Sequence, residues 1–596
     1  TGGAINFLTA KPTTDFEAYL NLGYSRWNTR QLEGAVSGSL GVNLTGRLAF
    51  QSVTSDGYYE NNGTTVATGV RGPLASELDN RGLSLGMPPA GEVIPVNPFV
   101  PPDDDFLEQD LHSLRGTLAW QAGERVEISA SGHYSEDGSD MFVRSMGPDS
   151  VDRNGFSPAD NDPFTVDANF GAGGSTVDIE GIGGFLKVDM DFELGNLVSV
   201  TGFETIERTL PFEESSPYRI LDQLFVDDLY EWSQEVRFQV EEADQFLWMV
   251  GLYLGKEKIK SRKDINSLDG VLRTTIATEF VQEGTNHAVF VHSEWQLAEA
   301  IRLTAGLRYS HDDKSYSGGS FIPVAPYGPY GVDLGPAILG IPLFSEDSFE
   351  EDDVSGKIGL DWTPSDDLLV YLTWNKGYKS GGYDGSTITS VASFEPFFGE
   401  SVYAWEAGLK SVTSGRAVRW SLSYFNYDYK DMQAEAQRGI PVQGAFESIR
   451  ANVGEGKIWG VESDIWLNPA SGLNAHFGIS YVNTEITDWR VDGLDSSDPE
   501  VMANAIADYR GHIGNEIPDA PQLTFNGLIS YAWRITPSLS SKIVVDFNYT
   551  DEVYKNIDNS EHLKADSYWL LNARVTLASG NERWETSLWV KNLNDE

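Results

Sequence analysis

Short and long connections alternate along this chain, and that alternation limits the folds open to it more than any other feature. Segments of roughly ten to fifteen residues with strand character are joined first by a tight turn and then by a long polar loop. The tight turns fall at Gly41-Val42-Asn43, 121–124, Leu194-Gly195-Asn196, 241–244, 297–300, Thr363-Pro364-Ser365-Asp366, 413–416, 468–472, 534–537 and 579–582. The long connections include 55–105, 137–180, 312–351 and 484–518. A sheet built this way has two chemically different ends, as membrane-spanning antiparallel barrels do, with short turns on one rim and longer loops on the other.

The strands carry the matching periodicity. In Arg302-Leu303-Thr304-Ala305-Gly306-Leu307-Arg308-Tyr309, one face takes Leu303, Ala305, Leu307 and Tyr309. The other takes Arg302, Thr304, Gly306 and Arg308, because successive side chains point to opposite sides. Ile543, Val545, Phe547 and Tyr549 oppose Val544, Asp546, Asn548 and Thr550; Trp569, Leu571, Ala573, Val575 and Leu577 oppose Asn572, Arg574 and Thr576. A lipid-facing row beside a wet lumen-facing row produces this pattern, and so does a half-buried strand of a soluble sandwich. Aromatic residues near segment ends favour the barrel. Tyr371, Trp374, Tyr424, Tyr427, Tyr429, Trp466, Trp533 and Trp589 sit where interfacial girdles belong. Arg302, Arg308, Asp546 and Arg574 are then the lumen-facing candidates.

Composition narrows the function. The 596 residues contain no Pro/Ser linker or heptad array, so one large closed sheet is the simplest organisation. No stretch of about 18 apolar residues marks a membrane-spanning helix. Cysteine is absent, which removes disulfides, thiolate metal sites and thiol catalysis. A net charge of −47 opposes nucleic-acid binding, which needs Lys and Arg against phosphate. Much of the acid lies in long connections, at Asp103-Asp104-Asp105, within 149–162 and within 346–353; it makes either a hydrated rim or a place for divalent cations. The 8 histidines are scattered. His287 and His292, the closest pair, fall on opposite faces of a strand. No G-x-S-x-G or H-E-x-x-H pattern occurs, and the loop Asp152-Arg153-Asn154-Gly155-Phe156-Ser157 lacks the register and closing Glu of a calcium loop. Nothing here reads as an enzyme or a cofactor site.

Strand spacing gives about 21 strands. An unpaired edge in hydrocarbon costs several kcal/mol per backbone group, so one further strand is expected, for about 22 in the intact barrel, whose lumen needs a plug. Residues 1–12, Thr1-Gly2-Gly3-Ala4-Ile5-Asn6-Phe7-Leu8-Thr9-Ala10-Lys11-Pro12, read as a remnant of that N-terminal plug domain, and 13–596 as the barrel with its final strand missing.

Several segments carry a specific resemblance. The N-terminal run resembles the end of the plug domain of TonB-dependent outer-membrane receptors. Asn375-Lys376-Gly377-Tyr378-Lys379-Ser380-Gly381-Gly382-Tyr383 resembles that family's "rGyKsGGf" segment. Glu400-Ser401-Val402-Tyr403-Ala404-Trp405-Glu406-Ala407-Gly408-Leu409-Lys410-Ser411 resembles its "E…yElGlKs" strand; Asn452-Val453-Gly454 with Trp459-Gly460-Val461-Glu462 resembles "N.G…GvE"; and Trp589-Val590-Lys591-Asn592-Leu593 resembles the penultimate strand. The resemblance implies a monomeric barrel in the outer membrane of a Gram-negative bacterium, among lipid and lipopolysaccharide. It implies uptake of a scarce nutrient, usually a ferric siderophore, driven by TonB with ExbB and ExbD acting on the plug. Haem receptors of the family carry FRAP and NPNL segments; Lys379-Ser380-Gly381-Gly382-Tyr383 and Phe394-Glu395-Pro396 stand here instead, while Tyr427-Asp428-Tyr429-Lys430-Asp431-Met432-Gln433 is similar to siderophore-type members. Tyr58, Tyr59, Tyr327, Tyr330, Tyr378 and Tyr383 are the ligand-contact candidates, as stacking surfaces for a catecholate or a glycan. Cobalamin, a glycan or another carbon source are the alternative cargoes, and a passive porin is the alternative without a plug.

Overall fold

A computed structural model describes residues 8–61, 68–70, 93–95, 105–141, 165–166, 174–212, 222–242, 245–266, 275–324, 343–385, 394–413, 415, 417–439, 446–489, 512–581 and 583–594. Its framework is one sheet of 21 strands, each antiparallel to the next along the chain. In order they are β1 (Glu17–Ser25), β2 (Thr29–Gly41), β3 (Leu44–Ser55), β4 (Gln109–Gln121), β5 (Val126–Asp137), β6 (Asp178–Phe192) and β7 (Gly195–Phe212). Then come β8 (Asp222–Glu242), β9 (Phe246–Asn266), β10 (Thr275–Ala298), β11 (Ile301–Val324), β12 (Leu343–Ser365), β13 (Leu368–Lys379) and β14 (Glu400–Val412). The last seven are β15 (Val418–Lys430), β16 (Gly454–Ala470), β17 (Leu473–Trp489), β18 (Leu523–Thr536), β19 (Leu539–Thr550), β20 (Tyr568–Ser579) and β21 (Glu585–Val590).

The alternation of the sequence becomes two faces. Val250, Val291 and Leu307 stand side by side across β9, β10 and β11, and so do Leu252, Val289 and Tyr309. All six are exposed, as are Leu48, Phe50, Leu114, Leu118 and Trp120 on β3 and β4. An apolar band of this extent in water exceeds what a soluble monomer tolerates. A sandwich would cover it with a second sheet about 10 Å away. Among the described residues no such layer exists, and the two principal buried apolar clusters lie at the long-loop rim, around Ile486 and around Tyr316. The apolar row therefore faces lipid and the polar row faces the lumen of a transmembrane barrel.

Every tight connection anticipated from the sequence joins consecutive strands, with boundaries displaced by a residue or two. At several of them the ladder continues into the turn through a register shift, as at Ser39/Gly41, Trp362/Ser365 and Arg534/Thr536. The alternation is not strict, however. At the long-loop rim β1 and β2 are joined by residues 26–28 alone, with Trp27 at φ 57° and Asn28 at φ 51° making the reversal. The long connections are also shorter than expected. β8 to β12 run 21, 21, 24, 24 and 23 residues, about twice the 9–11 residues of a tilted crossing. The sheet thus projects past the bilayer, and the 312–351 connection contracts to the interval between Val324 and Leu343. Among the described residues β1 pairs with β2 only and β21 with β20 only.

Candidate functional site: the mouth and inner wall of the barrel

The polar rows form a wall of cross-strand polar contacts, ion pairs such as Arg208–Asp227 among them. Arg302 on β11 places its guanidinium 2.8 Å from Asp361 on β12 and 3.4 Å from Glu294 on β10. Arg308 donates from Nε to Ser310 Oγ at 3.0 Å and lies over the rings of Tyr253 and Phe290, 5.4 and 5.8 Å from their centroids. Asp546 accepts a hydrogen bond from Asn572 Nδ2 at 2.7 Å. Arg574 on β20 is in register with Val544 and Trp589. All four candidates lie on the row opposite the exposed apolar one.

That register also corrects the aromatic girdle. Trp374, Tyr424 and Trp533 stand on the apolar rows. Tyr371 pairs across the sheet with Asp361 and bonds Glu406, Trp466 shares its row with Asp464, and Trp589 is in register with Arg574. These three, with Tyr427 and Tyr429, belong to the polar wall. Position near a strand end is blind to face; one residue of register decides it.

Above the wall, the connection from β13 to β14 is tied into the mouth. Glu351 on β12 accepts the backbone N–H of Gly381 at 2.9 Å and of Gly399 at 2.7 Å, and the Tyr378 hydroxyl at 3.1 Å. Gly382 and Phe397 exchange both backbone bonds at 2.9 Å. The approach is close enough that a Cβ on Gly381 would stand 2.2 Å from the Phe397 carbonyl oxygen, so glycine is required. From the other side, the hairpin of Gln433–Gly439 with Phe446–Asn452 supports the same loop. Gln433 Nε2 donates to the carbonyls of Ser380 and Phe398 at 3.0 and 2.9 Å, and Asn452 exchanges bonds with Phe398 at 2.7 and 2.8 Å.

The tied loop delivers Tyr383 into an aromatic cluster. Its ring lies 5.0 Å from that of Tyr316 and 5.5 Å from that of Phe349, while Phe280 and Phe394 pack on Tyr316 at 5.5 and 5.9 Å. Burial pushes the phenols of Tyr316 and Tyr383 above the ordinary range. Burial pushes the nearby Lys263 ammonium down, against the carboxylates of Asp384 and Glu435 that favour its charge. Tyr58 and Tyr59 lie elsewhere on the rim, over β1 to β4. Their rings are 5.0 Å apart, and Tyr58 is 5.2 Å from Trp27. Tyr327 and Tyr330, and the acidic stretch 149–162, fall outside the described residues. The structure thus separates the tyrosines into two groups; it adds Glu351 and Tyr316, which the sequence did not single out, and gives Gln433 and Asn452, quoted above only as parts of motifs, a role in holding the loop. Among the described residues no three His, Asp or Glu side chains converge as a metal site.

Comparison with known proteins places this architecture. The chain is 22% identical to the pesticin receptor of Yersinia pestis over 422 residues, which is 69% of this chain and 52% of that protein. It is 24% identical to an iron-regulated outer membrane virulence protein of Vibrio cholerae over 319 residues, 52% of this chain and 41% of that one. The chain therefore spans about half the length of these relatives or less. In three dimensions it resembles the ferric yersiniabactin uptake receptor FyuA of Yersinia pestis, with a TM-score of 0.72 at 16% identity over 99% of this chain and 76% of the other. It resembles the siderophore receptor PiuA of Acinetobacter baumannii with a TM-score of 0.67 at 12% identity, covering 98% and 78%. The family model described as "TonB dependent receptor-like, beta-barrel" matches residues 5–593. The chain belongs to the TonB-dependent receptor-like β-barrel family.

Proposed function

We propose that this chain is the membrane-spanning part of a monomeric TonB-dependent receptor in the outer membrane of a Gram-negative bacterium, and that it takes up a ferric siderophore. The observation that carries the reading is the mouth itself. A loop of the family's "rGyKsGGf" type is clamped by Glu351 and anchored through Tyr383 in a buried aromatic cluster, above a lumen walled with polar side chains. The names of its relatives and structural neighbours point the same way, toward iron and siderophores.

In this reading Tyr58, Tyr59, Tyr327, Tyr330 and Tyr378 meet the chelate at the mouth, while Tyr383, buried against Tyr316, holds the loop that carries Tyr378. Arg302, Arg308, Asp546 and Arg574 line the path below. Residues 1–12 are the end of the plug and 13–596 the barrel. One further strand between β1 and β21 would satisfy the two sheet edges, which hydrocarbon does not tolerate unpaired. An open lumen of this size leaks, so the plug moves only when TonB, energised by ExbB and ExbD, acts on it. Cobalamin or a glycan is the competing cargo.

The test is ligand-induced quenching of tryptophan fluorescence in the full-length receptor, with ferric siderophores set against cobalamin and oligosaccharides. Saturable quenching by a ferric chelate, together with receptor-dependent growth under iron limitation, is the expected result. Quenching by cobalamin or a glycan alone, or growth indifferent to iron, would overturn the siderophore reading.

A further inference from the structure

On β9 the outward row changes character halfway along. It reads Val250, Leu252 and Leu254, then Lys256, Lys258, Lys260 and Arg262. The three apolar side chains are exposed and belong to the lipid-facing band. Residues 246–256, from the start of β9 to the first lysine, have the length of one tilted crossing, about 9–11 residues. Across the ladder on β8, Trp232 is in register with Lys256 and Tyr230 with Lys258, the aromatic-plus-lysine pairing of a membrane–water interface. The cations begin where hydrocarbon ends.

Composition does not explain four outward cations in one row, in a chain with 42 Lys and Arg against 89 Asp and Glu. Two of them are matched within the protein. Lys258 lies 2.5 Å from Glu283, and Arg262 lies 2.7 Å from Glu279 and 3.1 Å from Asp264. Lys256 and Lys260 are exposed and make no ion pair among the described residues, although Asp228 is the register partner of Lys260. Four strand residues separate them by about 13 Å. Beside Lys260 and Arg262 opens a cleft of about 530 Å³ with Val226, Phe321 and Phe344 in its walls.

We propose that this column binds a phosphorylated glycolipid of the outer leaflet, with Lys256 and Lys260 each meeting one phosphate of a bisphosphorylated headgroup. The matched pair between them keeps the row in place, and the cleft receives part of the sugar. The inference rests on the outer-membrane reading above.

The experiment counts bisphosphorylated lipid A retained by the full-length protein purified from outer membranes in mild detergent, by mass spectrometry. K256Q/K260Q is expected to retain about tenfold less, K256R/K260R to retain the wild-type amount, and K430Q/K457Q, on other strands, to change nothing. Heat-modifiable electrophoretic mobility reports that each variant is folded. Unchanged retention in folded K256Q/K260Q would overturn the proposal, and so would release of the lipid by inorganic phosphate as readily as by a soluble bisphosphorylated headgroup. Wild-type protein that does not fractionate with outer membranes would instead defeat the outer-membrane reading, a different result from unchanged retention.

Discussion

The carboxylate of Glu351 accepts the backbone N–H of Gly381 at 2.9 Å, and through that bond β12 holds the loop between β13 and β14 in the mouth. The second oxygen takes the Gly399 N–H at 2.7 Å, so one side chain secures both ends of the loop. Glu351→Ala leaves both donors to find water and costs about 1–3 kcal/mol locally. Glu351→Gln retains one acceptor and turns an NH2 toward the other donor, so it recovers only part of the loss. The expected outcome is faster amide hydrogen exchange at Gly381 and Gly399 and earlier proteolysis within 380–399, with the transmembrane sheet intact. Unaltered exchange at both glycines would show that Gln433 and Asn452 hold the loop without Glu351.

Tyr316 makes the opposite case, a polar group with little to lose. Its ring is 2% exposed, and its hydroxyl is buried without a hydrogen-bond partner among the described residues. Tyr316→Phe removes an unsatisfied group from a cluster that keeps its shape, so stability holds or rises by up to about 1 kcal/mol. Tyr371→Phe should cost about 1 kcal/mol, because the Tyr371 hydroxyl donates to Glu406 at 2.6 Å. Denaturant unfolding in detergent distinguishes the two. A large loss in Tyr316→Phe would reveal a partner the hydroxyl needs.

The same burial gives the mouth a pH dependence. The folded-state pKa of Tyr316 is raised by desolvation, and that of Tyr383 likewise, with Asp347 adding to it. Below about pH 10 both folded and unfolded chains keep these protons, and the cluster's stability is fully present. As pH rises from there, the unfolded phenols ionise while the buried ones resist, so stability is lost progressively toward the folded pKa. Tyrosinate absorbance should show a late-titrating class that shrinks in Tyr316→Phe. Titration of every tyrosine together near pH 10 would mean that the cluster is open to water.

Much of the framework was legible because turn chemistry is local. Thr363-Pro364-Ser365-Asp366 and 534–537 announce reversals from their own composition, and both join neighbouring strands. The length of β8 to β12 was not legible. Past Lys256 the outward row turns polar, and polar-on-both-faces sequence reads as loop although the ladder continues. Face assignment near strand ends failed for Trp466 and Trp589 because aromatic identity carries no register. At the mouth, Tyr378 and Tyr383 stood out as aromatic residues beside glycines. Glu351 did not, for it lies within the acidic run 346–353, and only the fold shows which carboxylate meets two backbone amides.

Depth in the membrane makes Leu252 a probe of the apolar band. It lies near the middle of residues 246–256, exposed, with Val289 as its neighbour on β10. Leu252→Arg should cost about 2–4 kcal/mol in bilayers, the price of a cation at the midplane. Asn548→Asp, on the polar row of β19, should cost under about 0.5 kcal/mol. Reversible unfolding from lipid vesicles measures both, and equal costs would mean that the two rows do not face different solvents.

The absence of cysteine permits a direct reading of which way each side chain points. Single cysteines at Arg302, Arg308, Asp546 and Arg574 should react with a charged, water-soluble maleimide in intact membranes. Cysteines at their neighbours Leu303, Leu307, Val545 and Val575, on the apolar rows, should react instead with a lipid-soluble one. The contrast follows from the period of two along a strand: adjacent residues face different media only if the sheet closes around water. Arg302→Cys also breaks the contacts to Asp361 and Glu294. Because the pair is half-exposed, the cost should stay within about 1 kcal/mol, too little to unfold the barrel and confound the labelling. Equal reactivity of Arg302→Cys and Leu303→Cys toward the charged reagent would place both in water and mean that the two rows face one medium.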